Sequence, residues 1–162
     1  MGKLPRSGSL EVIVSAPPEQ VWDVLADVTR TGEWSHETQG ADWLDGVTSA
    51  RPGARFRGRN KQGRTRWSRT CEIEAADRGR QMSWVTVPSR LYPDSTRWTY
   101  DLTPRDGGTA VTQRFEVLKL SAFWDRVYHL LIPAHRDRSA ALTDDLHRLG
   151  EVAAQAPSRL PG

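Results

Sequence analysis

Residues 10–27 read LEVIVSAPPEQVWDVLAD, and this stretch decides which fold the chain can adopt. Its first half places Leu10, Val12 and Val14 at every second position, the spacing that predicts a β-strand over residues 10–15. Two prolines follow, which a helix tolerates in its first turn, and apolar residues then recur at helical spacing. The stretch therefore predicts a strand that leads at once into a helix over residues 17–27.

Strand and turn signals dominate the middle of the chain. We expect a short helical turn at 29–34 and then six strands, at 38–44, 54–60, 65–76, 80–87, 96–103 and 109–118. Glycines that tolerate positive φ favour hairpin turns at 61–63 and 106–108. From residue 121 the apolar residues, among them Phe123, Leu130, Leu131, Leu142, Leu146 and Leu149, recur near one helical stripe. Pro133 is expected to kink or split this C-terminal helix.

The order of elements predicts an α+β fold. A seven-stranded curved antiparallel sheet should wrap around a long C-terminal helix, with two short helices after the first strand. One amphipathic helix cannot fill the whole concave side of such a sheet, so we expect a cavity there. At this length, residues 1–162 should form a single domain with an ordered core of about residues 9–154 and a frayed end beyond Ala154.

Composition narrows the class of protein. No segment approaches the roughly 20 apolar residues of a membrane span, and the N-terminus lacks an apolar secretory core, so we expect a cytoplasmic protein. The lone Cys71 cannot form an intramolecular disulfide, and no Cys/His spacing fits zinc, so no metal and no other cofactor is expected. The sequence also lacks a Ser-His-Asp signature, a phosphate-binding loop and a dinucleotide fingerprint. Hydrolase and nucleotide-dependent functions therefore lose support.

Three segments carry a resemblance to a known family. Residues 12–27 resemble the first strand and helix of the START-like (SRPBCC, helix-grip) superfamily, in particular its polyketide cyclase/dehydrase and lipid-transport group, where an Ala-Pro pair precedes a Val-Trp. Residues 97–112 are similar to the last two strands and their Gly-Gly turn, and residues 53–60, with Arg66-Trp67-Ser68, form the third segment. The resemblance covers about residues 10–149. It implies a ligand cavity between the sheet and the C-terminal helix, but not which ligand, because this fold serves many functions.

Alternation along the strands predicts which side chains line that cavity. If the more apolar face points inward, Trp67, Arg69 and Cys71 share the inner face of one strand, although a register shift of one residue would turn Arg69 outward. The ligand-binding candidates are Trp34, His36, Phe56, Asn60, Trp67, Cys71, Trp84, Trp98, Gln113, Phe115, Trp124 and Tyr128. Trp43 and Phe123 are further aromatic candidates. Aromatic walls of this kind favour flat aromatic or polycyclic ligands, although about half of these rings would serve simply as core.

The catalytic candidates are Arg69, Tyr100 and His135. Buried polar groups such as Asn60, Arg69, Tyr100 and Gln113 need partners. One interpretation is that they orient a ligand, with Arg69 stabilising an enolate and Tyr100 relaying a proton; the other is that they bond to one another, bond to water, or lie at the sheet rim. The resemblance implies a cavity arginine that holds a folded poly-β-keto chain during aldol condensation and dehydration, and Arg69 is the nearest candidate.

Histidines near the expected cavity mouth are a second group of candidates. His36, His129 and His135 carry imidazoles whose ordinary pKa suits proton transfer at neutral pH. A lone histidine is more often a surface or capping residue, so both interpretations stand. His135 is the one that we count among the catalytic candidates.

A block of basic residues between Arg51 and Arg69 contains no acidic residue. Alternation puts Arg55, Arg57 and Arg59 on the outer face of the sheet, where the usual role of such residues is to keep the surface solvated. The alternative is docking of an acidic partner, such as an acyl carrier protein or nucleic acid, at Arg55, Arg57, Arg59, Arg64 and Arg66.

The sequence leaves three functions open. The first is binding of a small hydrophobic, aromatic or polyketide-like molecule with cofactor-independent cyclisation and dehydration. The second is a non-catalytic lipid or small-molecule carrier or sensor, and the third is an interaction protein that uses the arginine-rich face. Both a monomer and a homodimer are compatible with the sequence.

Overall fold

The computed structural model of the protein describes residues 3–135 and 137–155. Its elements, in chain order, are β1 Ser7–Val14, α1 Pro18–Ala26, a first 3-10 helix Val28–Glu33, β2 Thr38–Trp43, β3 Arg55–Gln62, β4 Thr65–Asp77, β5 Gln81–Thr86, β6 Ser95–Arg105, β7 Gly108–Lys119, α2 Ala122–Leu131, a second 3-10 helix Pro133–His135, and α3 Ser139–Gln155. The predicted frayed end falls, apart from Gln155, on residues 156–162, which lie outside the described residues.

The strands form one antiparallel sheet in the order β1-β7-β6-β5-β4-β3-β2. Each strand from β2 to β6 pairs with the next along the chain, and β7 pairs also with β1. The predicted α+β fold with a seven-stranded antiparallel sheet is therefore confirmed. This meander follows from the short turns between strands, which allow only neighbouring strands to pair.

Two glycine turns set the register of the hairpins. Gly107 has φ 74°, and Arg105 pairs with Gly108, so the connection between β6 and β7 is a two-residue turn. The turn predicted at residues 61–63 lies later than expected, because Gln62 still pairs with Thr65 and the chain reverses at Gly63, with φ 59°. A positive φ at this glycine makes so short a reversal feasible and extends β3 by two residues beyond the expected end.

The close-packed core occupies only part of the concave face of the sheet. Helix α3 packs against α1 and β1, and Val21, Leu25, Leu146 and Leu149 are buried there. This end of the sheet is filled by side chains. The remainder of the concave face lies towards α2 and the second 3-10 helix, and there the space stays open.

Pro133 splits the C-terminal helix. It has no backbone N–H and starts the second 3-10 helix directly after α2. The predicted break at Pro133 is present, and three of the apolar residues near the predicted stripe do not belong to the core, because Phe123, Leu130 and Leu131 on α2 are 68%, 71% and 63% exposed. Because the helix is interrupted at Pro133, the apolar face of α2 is not continuous with the buried face of α3.

Gly150 brings α3 close to β1, which leads to a prediction about stability. A Cβ added at Gly150 would lie 2.5 Å from the Val14 Cβ atom. Gly150→Ala should therefore lower the free energy of unfolding. The overpacking costs about 1–3 kcal/mol, which exceeds the roughly 1 kcal/mol by which alanine stabilises a helix relative to glycine. Urea unfolding measures the difference. Gly58→Ala is the matched control, because no atom lies within 3.7 Å of its added Cβ, and an unchanged midpoint for Gly150→Ala would contradict the described packing.

Candidate functional site

A cavity of about 610 Å³ lies between the concave face of the sheet and the segment from α2 to the start of α3. Its lining includes all the catalytic and ligand-binding candidates from the sequence: Trp34, His36, Phe56, Asn60, Trp67, Arg69, Cys71, Trp84, Trp98, Tyr100, Gln113, Phe115, Trp124, Tyr128 and His135. Leu91 and Leu131 also line it and are 65% and 63% exposed, so they mark an opening. The roles of these residues stay predictions.

Aromatic rings form much of the cavity wall. Trp84 stacks on Tyr100 with ring centroids 5.1 Å apart, and Trp98 lies 5.4 Å from Phe115. Trp43 and Phe123 do not belong to this wall: Trp43 packs against the core, and Phe123 is exposed because α2 turns that face to solvent. The ring surfaces that do face the space provide stacking area for a flat ligand.

Arg69 faces the cavity and is engaged within the protein. Pairing of Gly58 with Arg69 and of Phe56 with Cys71 fixes the register that turns these β4 side chains inward. Its Nη1 donates to Asp94 Oδ2 and its Nη2 to the Asp94 carbonyl oxygen, both at 2.9 Å. The charge of this guanidinium is therefore compensated by a buried carboxylate.

Asp94 links β4 to α2, because it is hydrogen-bonded to a side chain on each of them. Tyr128 on α2 donates its hydroxyl to Asp94 Oδ1 at 2.8 Å. Burial, and then the hydrogen bond to Asp94, raise the pKa of Tyr128. No sequence pattern marks Asp94, because it lies in the irregular segment before β6 and belongs to no periodic element.

His36 is held by a buried carboxylate on α3. Its backbone N–H donates to Asp145 Oδ1 at 2.8 Å, and its Nδ1 lies 2.6 Å from Asp145 Oδ2. The hydrogen bond to Asp145 raises the pKa of His36, against the effect of partial burial. Its Nε2 makes no hydrogen bond to the part of the chain that the structure describes, so it is available to a ligand. The sequence carries a signal for Asp145, because its position three residues after Leu142 puts it on the buried face of α3.

A second imidazole is paired with Glu37. His135 Nε2 hydrogen-bonds to Glu37 Oε1, and its ring meets Trp67 edge to face at 5.8 Å. Burial opposes ionisation of Glu37, but the hydrogen bond from His135 and the charge of Arg138 outweigh it and lower the pKa of Glu37. Burial also lowers the pKa of His135. Near neutral pH the pair is therefore an ionised Glu37 and a neutral His135. His129, expected near the mouth, is not among the lining residues.

Tyr100, Gln113 and Trp34 form a buried group of polar side chains in the cavity wall. Gln113 Nε2 donates to the Tyr100 hydroxyl oxygen at 2.7 Å. Gln113 Oε1 and Trp34 Nε1 are buried and have no partner among the described residues. Burial, and then the negative charge of Asp145, raise the pKa of Tyr100, so its hydroxyl stays protonated. Asn60 is bonded within the protein, accepting from the Thr38 hydroxyl at 2.8 Å.

Cys71 contributes shape to the cavity and no nucleophile. Burial raises the pKa of the Cys71 thiol to about 12, so the thiol stays protonated at neutral pH. Among residues 3–135 and 137–155, no group of three His, Cys, Asp or Glu side chains could hold a metal ion. Within the same residues, no helix has the length and apolar character that a bilayer crossing requires.

The two imidazole pairs predict opposite shifts from the ordinary histidine pKa of about 6.5. In a pH titration followed by NMR of the ring C–H protons, His36 should titrate above that value and His135 below it. The interaction of protonated His36 with Asp145 stabilises the fold fully below about pH 6.5. This stabilisation is lost as pH rises through the raised pKa of His36 in the folded protein. The neutral His135 stabilises the fold fully above about pH 6.5, and the ionised Glu37 does so above the usual pKa range of a carboxyl group. Each contribution to stability is lost as pH falls through the lowered pKa of that group. A His135 that titrates above His36 would contradict the described pairing.

The arginine-rich strands carry exposed charge on the outer face of the sheet. Arg55 pairs with Glu72 at 2.8 Å, and Arg59 pairs with Asp42. Arg57, Arg64 and Arg66 are exposed and form no ion pair with a described residue. The expected outward orientation of Arg55, Arg57 and Arg59 agrees with their alternation with buried Phe56 and Gly58.

Known proteins share this architecture. A sequence model of the family described as polyketide cyclase / dehydrase and lipid transport matches residues 6–149. The structure is similar to protein TTHA0849 of Thermus thermophilus, with a TM-score of 0.70 and 17% identity over 94% of this chain and 99% of that one. It is also similar to the ZhuI aromatase/cyclase of Streptomyces sp. R1128, with a TM-score of 0.69 and 16% identity over 94% of this chain and 96% of that one.

A third similar structure is protein MLL2253 of Mesorhizobium loti, with a TM-score of 0.65 and 18% identity over 93% of this chain and 98% of that one. No curated protein sequence matches this chain. The likeness to solved structures confirms the predicted helix-grip fold, and at these identities it shows the fold alone.

Proposed function

Because the chain belongs to the polyketide cyclase/dehydrase and lipid transport family, we propose that it is a single ligand-binding domain for a flat, oxygenated aromatic or polyketide-like molecule. The observation that carries the proposal is a cavity of about 610 Å³ whose aromatic wall includes buried polar atoms without a partner among the described residues. An apolar pocket with a few open polar groups is the usual form of a small-molecule site. The rings supply binding area, and the oxygen substituents of the ligand provide hydrogen-bond partners for the buried Trp34 Nε1 and Gln113 Oε1.

We further propose that the site catalyses proton transfer in an aldol cyclisation and dehydration without a cofactor. His36 Nε2 removes a proton from the carbon next to a ligand carbonyl, and the resulting enolate carbon forms a bond to a second carbonyl carbon. The protonated His36 returns its proton to the new alkoxide, which becomes a hydroxyl group. His36 then removes a second α-proton and delivers it to that hydroxyl, which leaves as water and forms the double bond. The buried Asp145 holds His36 in the orientation that this role needs, as the acid of a triad orients its histidine.

Tyr100 supplies the hydrogen bond to the developing enolate oxygen in this proposal. Its raised pKa keeps the hydroxyl protonated, and its oxygen already accepts a hydrogen bond from Gln113, so its own proton is free to point at a ligand. His135 has its Nε2 on Glu37 and leaves Nδ1 as a second proton acceptor. The predicted role of Arg69 at the enolate has less support, because Asp94 already neutralises that guanidinium.

Exchange of carbon-bound hydrogen tests the catalytic proposal without knowledge of the natural substrate. The probe is 2-acetylnaphthalene in D₂O, whose methyl protons exchange only through its enolate. Loss of the methyl signal in ¹H NMR should be at least about 10²-fold faster with the protein than in buffer, the contribution typical of a positioned base. Isothermal titration calorimetry on the same compound measures binding separately. Binding without accelerated exchange would contradict catalysis and leave the ligand cavity intact.

A non-catalytic carrier or sensor is the second candidate. The observation that favours it is the pairing of Arg69 with Asp94, which removes one cavity cation from any direct role in chemistry. A carrier would bind a range of apolar ligands with similar affinity, and exchange of the probe would stay at the buffer rate. Lipids and aromatic ligands compared by calorimetry distinguish a broad carrier from a site selective for flat rings.

The third candidate uses the outer arginine-rich face. Arg57, Arg64 and Arg66 have no ion pair in the described chain and remain open to an acidic partner such as a carrier protein, whereas Arg55 and Arg59 are already paired. Binding of this kind should weaken steeply as salt rises from about 50 to about 200 mM, because exposed charges become screened over that range. For the protein as a whole, we also propose a cytoplasmic location and a monomeric or homodimeric state.

A further inference from the structure

We infer that Arg138 is the anion-binding residue of the cavity, and that the ligand carries a carboxylate beside its aromatic ring. The inference rests on the proposed ligand-binding function and narrows its ligand class. It concerns a residue that the sequence pattern does not distinguish, because Arg138 lies in the short segment between the second 3-10 helix and α3.

Arg138 lines the cavity without an acidic partner among the described residues. Its guanidinium lies over the Trp98 ring, with the Cζ atom 5.6 Å from the ring centroid. No hydrogen bond or ion pair joins it to residues 3–135 or 137–155. Burial lowers its pKa, while Glu37 and then Asp94 act on it only through space and in the opposite direction. A guanidinium has five N–H donors in a planar fork, and here that fork has no acceptor in the described protein.

The nearby carboxylates are already bound elsewhere. Glu37 is hydrogen-bonded to His135, and Asp94 accepts from both Arg69 and Tyr128. The contrast with Arg69 is direct, because both Nη atoms of that side chain are used by Asp94. Three described arginines line the cavity. Arg66 is exposed to solvent and Arg69 is bound to Asp94, so Arg138 is the half-buried arginine with donors available to a ligand.

A carboxylate fits the free guanidinium better than a neutral oxygen does. A partly buried cation without a counter-ion is costly, and an anion that forms two parallel N–H···O bonds to it compensates that cost. Trp98 lies under the guanidinium and is itself in contact with Phe115. A ligand ring stacked on this aromatic wall would bring an attached carboxylate to the same region of the cavity. Aromatic carboxylic acids are the ligand class that meets both conditions.

Calorimetry with a matched ligand pair tests the inference. The probes are 2-naphthoate and 2-naphthamide, which have nearly the same shape and differ in charge. Wild-type protein should bind the acid about 10- to 100-fold more tightly, the range expected for hydrogen bonds to charged groups. Arg138→Met should remove this preference and change naphthamide affinity by less than about threefold. Arg138→Lys, which keeps the charge and loses the fork, should retain part of the preference.

Controls separate the inference from the function on which it rests. Arg80→Met removes an exposed arginine at the turn before β5 and should leave the preference unchanged, and thermal unfolding of each variant confirms folding. Equal affinity of the wild type for both probes, or an intact preference in Arg138→Met, would overturn the role of Arg138 alone. If none of 2-naphthoate, 2-naphthamide and 2-acetylnaphthalene binds, the proposed ligand-binding function fails and this inference fails with it.

Discussion

Replacement of His36 by asparagine should slow methyl exchange of 2-acetylnaphthalene by about 10²- to 10⁴-fold, the usual contribution of a positioned general base. The asparagine amide can take the place of Nδ1 in the hydrogen bond to Asp145, so the loop should keep its position. What the variant loses is Nε2, the nitrogen proposed to accept the proton. Binding of the probe should change little, so the effect should fall on the rate at saturation and not on the affinity.

The pH profile of the same reaction gives a second readout. The base acts in its neutral form, and hydrogen bonding to Asp145 raises the pKa of His36. The exchange rate should therefore rise with pH through an apparent pKa above the ordinary value of about 6.5. The matched control is His147→Asn, an exposed histidine on α3, whose rate should equal that of the wild type. A wild-type rate in His36→Asn would exclude His36 as the base.

Arg69→Met should destabilise the protein by about 3–5 kcal/mol, the usual cost of removing one partner from a buried ion pair. The side chains of Arg69 and Asp94 are only 11% and 12% exposed. Without the arginine, Asp94 keeps the hydroxyl of Tyr128 but loses both hydrogen bonds from the guanidinium. Its carboxylate would then be a buried charge without a counter-ion. Urea unfolding, with the free energy extrapolated to water, measures the loss.

A double variant identifies the cause of this destabilisation. Asp94→Asn removes the charge that Arg69→Met leaves uncompensated, so the double variant should recover part of the lost stability. If Arg69→Met alone costs less than about 1 kcal/mol, which is typical of an exposed pair, then Arg69 is not held by Asp94 in solution. In that case the expectation that Arg69 contacts a ligand regains its support.

The fold was predictable because its signals are local and periodic. Alternation along β1 and helical spacing along α1 are both contained in residues 10–27, and the turn glycines separate the later strands. Alternation also predicted the inward face of β4, since one buried face makes a register shift costly. The same rule, applied to each strand, predicted the strand residues of the cavity lining, whereas Trp34, His36, Trp124, Tyr128 and His135 lie outside the strands.

The charged partners in the cavity were not predictable in the same way. Arg69 and Asp94 are 25 residues apart, and His36 and Asp145 are 109 residues apart, so no local pattern connects them. Glu37 and Asp94 lie outside the helices and strands, where side-chain direction has no period. Asp145 alone carried a signal, as an acidic residue on the buried face of α3. The exposure of Phe123, Leu130 and Leu131 on α2 was not predictable, because helical spacing does not show how the two helical pieces on either side of Pro133 are oriented.

The space between the sheet and the C-terminal helices is the proposed ligand site, and the tryptophan indoles test this assignment most directly. The chain has seven tryptophans, and the cavity lining includes Trp34, Trp67, Trp84, Trp98 and Trp124 but neither Trp22 nor Trp43. In ¹H–¹⁵N spectra, titration with 2-acetylnaphthalene should shift the indole N–H signals of the lining tryptophans and leave those of Trp22 and Trp43 in place. Shifts confined to Trp22 and Trp43, or no shift at any indole, would contradict a ligand site in this cavity.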